Sequence, residues 1–136
     1  MVASVGDSGI VRGISTGSAT FTFTDTSASC YGGTTPAVTV DTFPNITPIT
    51  SASKVVCIDN TITLNCSTVG GTWSLSNTTN ATIQGGNMGT SVTIYGVASG
   101  TVSVTYTVGS GVCQSKSTFL LKVEPPVPVL RIGFEE

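Results

Sequence analysis

The sequence predicts an all-β chain folded as an antiparallel β-sandwich, one complete module preceded by the back half of another. Three observations carry that expectation: the composition, an internal repeat, and a period-2 alternation of apolar and polar residues. Among the 136 residues Val, Ile and Thr number 50, whereas Leu numbers five and Ala seven. β-Branched side chains suit a pleated surface and lose rotamer freedom in a helix, so this surplus favours strands. Val, Ile, Leu and Phe together number 36, enough for a core and above the level at which disorder is the default.

Sliding the chain by 83 residues lays Val11 to Thr24 on Ile94 to Thr107 without a gap. Gly13 falls on Gly96, Gly17 on Gly100, Phe21 on Val104 and Phe23 on Tyr106. The same offset places Gly6 on Gly89, Ser8 on Ser91, Cys30 on Cys113, Thr35 on Thr118 and Val40 on Val123. Apolar and polar positions keep their parity throughout. Residues 1–42 are therefore expected to be the C-terminal half of one module and 43–124 a complete one. Residues 125–136, opening on Pro125-Pro126-Val127-Pro128, are expected to be a linker and the first strand of a following repeat. A period of 83 suits a small sandwich, not a solenoid repeat of roughly 20–50 residues.

The strands of the complete module follow from alternation. Thr61 to Cys66 puts Ile62, Leu64 and Cys66 on one face. Gly70-Gly71 makes a turn into Thr72–Ser76, with Trp73 and Leu75 inward. Asn77–Asn80 is a polar turn, and short strands follow at 81–84 and 91–95. Gly100 opens the longest strand, with Val102, Val104 and Tyr106 toward the core. Gly109-Ser110-Gly111 signals a hairpin, and 118–123 returns as the last strand. In the leading half, Ile14, Ala19, Phe21, Phe23, Val38 and Val40 make an apolar face. Seven short strands at about 8–12-residue spacing favour an Ig-like sandwich.

Val56-Cys57-Ile58-Asp59, Leu64, Gly70-Gly71-Thr72-Trp73-Ser74 and Ala81-Thr82-Ile83 together resemble the bacterial Ig-like repeat domains of group 2. Ile94-Tyr95-Gly96-Val97, Gly100, Val104 to Thr107 and Cys113 resemble that family's closing motif. The resemblance spans about 50–124 fully and 4–41 as its second half. It implies tandem modules strung through large secreted or surface-anchored proteins, many of them adhesins. It also implies a core of Trp73, Leu64, Val104 and Tyr106, turn glycines at Gly13, Gly17, Gly96 and Gly100, and a Cys57–Cys113 disulfide. The repeat supports that pairing: Cys30 is the equivalent of Cys113, so its own partner would precede Met1. Cys66 shares the inward parity of Leu64 and reads as a buried thiol, with Cys66 as bridging partner the second alternative.

Chemistry is scarce. The chain has no histidine, so the commonest general base and metal ligand is missing. Gly13-Ile14-Ser15-Thr16-Gly17 matches the G-x-S-x-G nucleophile elbow, but that motif needs a following helix and a histidine. Its repeat partner has Ala98 in place of Ser15, so the glycines serve a turn. The cysteines lack C-x-x-C spacing, which argues against zinc. A calcium site would need Asp41 near Asp59 or Glu124. Thr20, Thr22, Thr24 and Thr26 form a hydroxyl row, too narrow for an ice- or sugar-binding surface and ordinary on the solvent side of a strand. Asn45, Asn65, Asn77 and Asn80 head N-x-[ST] sequons, frequent by chance in a chain this rich in Ser and Thr.

Charged residues are 9% of the chain and the net charge is -2, which leaves no footprint for nucleic acid. No apolar run reaches the roughly 18 residues that span a bilayer, and no basic-then-apolar leader opens the chain. Four cysteines in a low-charge, Thr-rich chain favour an oxidising, extracellular setting, so the sequence reads as a window from a longer exported protein. The expected function is a non-catalytic stalk or filament module at the cell surface, without cofactor. Its partners would be neighbouring Ig-like repeats and, through strand complementation by Val127–Ile132, further copies of itself. The alternative is a carbohydrate- or ligand-binding module, for which Tyr31, Phe43 and Phe134 are the candidate exposed aromatics.

Overall fold

The computed structural model describes residues 1–24 and 32–128. The chain divides into two compact units, Met1–Phe43 and Pro44–Glu136. All regular structure among the described residues is β.

The first unit contains β1 (Ala3–Val5), β2 (Val11–Gly13), β3 (Gly17–Ala19), β4 (Thr22–Thr24), β5 (Gly32–Thr34) and β6 (Val38–Val40). They pair antiparallel two by two: β1 with β2, β3 with β6, β4 with β5.

The second unit contains β7 (Thr50–Ser51), β8 (Val55–Cys57), β9 (Thr61–Asn65), β10 (Gly71–Leu75), β11 (Ala81–Gln84), β12 (Ser91–Gly96), β13 (Gly100–Ser110) and β14 (Cys113–Glu124). One four-stranded sheet runs β11-β12-β9-β7, the other β10-β13-β14-β8. Every pair is antiparallel except β14 with β8. Inward residues of both sheets form one cluster, including Leu64, Val92 and Ile94 from the first and Trp73, Val102, Val104, Tyr106, Leu121 and Val123 from the second. Removing each such side chain from water contributes about 1.5–3 kcal/mol. β13 shows the pattern plainly: Val102, Val104, Tyr106 and Val108 are buried, and the Thr and Ser residues between them are not.

The β13–β14 ribbon is longer than the alternation predicts, because β14 begins at Cys113 and not at Thr118. Ser110 pairs with Cys113 across Gly111-Val112, with Gly111 at φ 59°. The extra segment, Gln114–Ser117, has no apolar residue to reveal it. Its backbone is nonetheless laddered to Tyr106–Gly109.

That extension overturns the expected Cys57–Cys113 disulfide. β8 runs parallel to the far end of β14, with Cys57 opposite Glu124. Cys113 opens the same strand, eleven residues earlier (124 − 113). At about 3.3 Å per residue the two cysteines lie roughly 36 Å apart, whereas a bridge requires Cα atoms within about 7 Å. Cys57 and Cys66 carry free thiols. Cys66 is buried, its Sγ donating to the Thr47 carbonyl at 3.3 Å. Cys30 lies outside the described residues.

The internal repeat is visible in the backbone. Gly17, Ser18 and Ala19 pair with Val40, Thr39 and Val38. Shifted by 83, these are the Gly100–Val123, Thr101–Lys122 and Val102–Leu121 pairs of the second unit. Beyond Ala19 the ladders part by one residue: Thr22 faces Thr34, whereas Thr105 faces Thr118. Two residues on one strand, Thr20 and Phe21, here oppose three on the other, Thr35, Pro36 and Ala37. Pro36 has no N–H to donate and marks the bulge; Phe119 holds its place in the second unit. Upstream of β2 the gapless alignment fails. The Val5–Val11 pair matches Ile83–Ile94, an offset of 78 (83 − 5) for the preceding strand, so Gly6 and Ser8 are not the counterparts of Gly89 and Ser91.

Candidate functional site

Two regions hold the residues singled out by sequence, and each is built by the sheet pairing. The first is the centre of the second unit. Trp73 on β10 pairs with Tyr106 on β13, and their rings lie 4.6 Å apart at 44°. The Trp73 indole N–H donates to the Gly89 carbonyl at 2.8 Å. The Tyr106 hydroxyl accepts the Gly71 N–H at 2.9 Å and donates to the Thr68 carbonyl at 2.7 Å. A Cβ on Gly71 would lie within 2.7 Å of the Tyr106 ring, so the turn glycine is the seat of that hydroxyl. Leu64 and Val104 are fully buried beside this pair. No charged residue is buried among the described ones.

The second is the glycine corner, present once in each unit. In the second unit the Asn80 carbonyl accepts the N–H groups of Val97 and Ala98. In the first, the Val2 carbonyl accepts those of Ile14 and Ser15. Gly100 and Gly17 then start a strand at φ 151° and 143°, values that disfavour any side chain. A Cβ at Gly100 would meet the Asn80 amide at 2.5 Å, and one at Gly17 would meet Val2 at 3.0 Å. Gly96 and Gly13 end the preceding strand, closely faced by Val123 and Val40 respectively. Asn80 adds a side-chain staple, its amide donating to the carbonyls of Ser99 at 2.7 Å and Ala98 at 3.3 Å. The sequence marks Asn80 as the end of a polar turn and as a sequon, and carries no signal for the staple, which depends on the position of residue 80 at the corner.

The remaining candidates are dispersed. The Ser15 hydroxyl donates to the Met1 carbonyl at 2.9 Å, on an exposed corner. Asp59, at φ 67°, accepts from the Tyr95 hydroxyl at 2.8 Å. That hydrogen bond, with lesser help from desolvation and the carboxylate charge, holds the Tyr95 phenol above its usual pKa. The Glu124 carboxylate pairs with Lys122 at 2.6 Å. Among the described residues no three His, Cys, Asp or Glu side chains form a metal-binding group. Thr22 and Thr24 are exposed on β4, as is Phe43; Thr26, Tyr31 and Phe134 fall outside the described residues.

No protein-family model matches the chain, and no curated protein matches it. Solved structures similar to it include domains 4 and 5 of the S-layer protein SbsC, at 23% identity and a TM-score of 0.35. That match covers 90% of this chain and 66% of the other. Domains 4–9 of the surface layer protein SbsC match at 23% identity and a TM-score of 0.38, covering 96% of this chain and 21% of that one. The chain thus spans about two thirds of the first and a fifth of the second. TM-scores this low do not define a shared fold.

Proposed function

We propose that the chain is a non-catalytic structural segment of an extracellular, cell-surface protein, built from tandem Ig-like repeats that act as a stalk or filament. The observation that carries this is the backbone repeat: the Gly17–Val40 ladder recurs as Gly100–Val123, together with the same corner hydrogen bonds. Tandem copies of one sandwich lengthen a polypeptide without requiring a ligand. The strand order supports the Ig-like part of the reading. An Ig sandwich has sheets ABED and CFG with a buried Trp on strand C. Here β7-β9-β12-β11 corresponds to ABED and β10-β13-β14 to CFG, with β8 edging the second sheet and Trp73 on the strand in position C. The lack of any histidine, and of any buried charged side chain among the described residues, supports a role without catalysis. The low charge and Ser/Thr-rich surface support the extracellular location.

Small-angle scattering on recombinant arrays of two, three and four 83-residue repeats tests the reading. A maximum dimension that grows by a constant increment per repeat is expected; collapse to one compact particle would overturn it.

A further inference from the structure

The first unit is a back half whose counterpart in the second unit is fully covered. Val11 and Phe23 are 41% and 73% exposed, whereas their repeat equivalents Ile94 and Tyr106 are wholly buried. Val5, Val11, Phe21 and Phe23 line a groove of about 500 Å³ within this unit. The outer edges are open as well: among the described residues β2 pairs only with β1, β4 only with β5, and β6 only with β3. In the second unit the equivalent edges are occupied by β9 beside β12, by β10 beside β13 and by β8 beside β14.

Resting on the tandem-repeat reading, we infer that this groove and its edges bind the front half of a repeat, a polypeptide segment patterned like Pro44–Thr79 and joined ahead of Val2. The register names its contacts. A strand like β10 runs antiparallel along β4 and sets its tryptophan opposite Phe23, as Trp73 sits opposite Tyr106. A strand like β9 runs along β2 with an aliphatic residue opposite Val11, as Ile62 faces Ile94. A strand like β8 runs parallel beside Val40, as Val56 does beside Val123. The junction follows from the corner: the Val2 carbonyl does what the Asn80 carbonyl does, so the segment ends at the equivalent of Thr79. The occupant also has its own signature. Phe23 has the ring that crowds Gly71 in the second unit but not the hydroxyl, so a natural partner keeps a glycine at that turn while its N–H and the Thr68-equivalent carbonyl lack the hydroxyl as a partner.

The test is the full chain with a second copy of residues 44–79 fused ahead of Val2, compared with the unfused chain. Expected are two buried tryptophans by iodide quenching, slowed amide exchange at Val11 and Phe23, and a second cooperative unfolding transition. Phe23→Asp in the fused chain is expected to leave the added tryptophan quenchable while Trp73 stays protected. Phe23→Tyr is expected to raise the midpoint of the added transition by restoring the hydroxyl's two partners. An added segment that stays quenchable and rapidly exchanging while Trp73 is protected overturns this inference alone. Exposure of Trp73 in the unfused chain would instead overturn the sandwich on which the repeat reading stands. Concentration-dependent dimerisation of the unfused chain that survives the fusion would assign the groove to a second copy and overturn the contiguous segment as occupant.

Discussion

Phe23 and Tyr106 occupy the same place in the repeat and opposite extremes of exposure, 73% and 0%. Their strands have the same alternation, and the hairpins that hold them share a register up to Ala19 and Val102. The difference lies in what the rest of the module supplies, a neighbouring strand in the same sheet and a second sheet packed against it. Tyr106 is covered by Trp73, and its hydroxyl closes the Thr68–Gly71 turn; no described residue plays either part for Phe23. A strand pattern therefore specifies which residues can face a core, while burial itself depends on a second layer.

Paired substitutions sharpen that contrast most strongly. Tyr106→Ala and Trp73→Ala are each expected to cost about 3–5 kcal/mol, enough to unfold the second unit. Phe23→Ala is expected to change stability by no more than about 0.5 kcal/mol, as for an exposed side chain with few contacts. Urea unfolding followed by circular dichroism measures all three. Equal losses at Phe23 and Tyr106 would show that the first unit has a closed core after all.

The glycine corners give the next effect. Gly100→Ala and Gly17→Ala each place a side chain at a φ that disfavours one, at about 1–3 kcal/mol apiece. Gly100→Ala is expected to be the more costly, since its Cβ meets the Asn80 amide at 2.5 Å where that of Gly17 meets Val2 at 3.0 Å. Unfolding midpoints of the two variants order them.

The parts that were legible in sequence depend on local periodicity, and those that were not depend on pairing. The inward set Val102, Val104 and Tyr106 follows from alternation along one strand. Trp73 and Leu75 follow from a glycine pair and the same parity. The bulge at Pro36 could not be placed without knowing which residues face Thr20 and Phe21. The disulfide failed for the same reason: its geometry depends on β14 starting at Cys113 and on β8 lying parallel to the strand's other end. Asn80 was equally opaque, because a staple across the corner requires the Val97–Gly100 turn to pass beneath its amide.

Asn80 also separates the two corners chemically, since Val2 stands in its place in the first unit. Asn80→Val is expected to cost about 1–2 kcal/mol through loss of the bonds to Ser99 and Ala98, with those carbonyls turning to water. Val2→Asn is expected to stabilise the first corner by no more than about 1 kcal/mol. Thermal unfolding of the two reciprocal variants measures whether the corners are interchangeable.

The smallest expected effect concerns pH and again sets the units apart, because Arg12 holds the position that Tyr95 holds in the second. The Asp59 carboxylate accepts from the Tyr95 hydroxyl, which favours the protonated phenol and raises its pKa above the ordinary 10.0. The folded protein therefore keeps this proton to higher pH than the unfolded chain does. The resulting stabilisation is present in full below the ordinary phenol value and is lost as pH rises through the raised one. Asp59→Asn removes the charge and weakens the acceptor, so Tyr95 is expected to titrate closer to its ordinary range. The alkaline loss of stability should shrink with it. A spectrophotometric tyrosine titration of the wild type minus that of Asp59→Asn isolates this one phenol from Tyr31 and Tyr106. Superimposable titration curves would mean that the Tyr95–Asp59 hydrogen bond does not persist in solution, and the two units would then differ at this position only in side-chain identity.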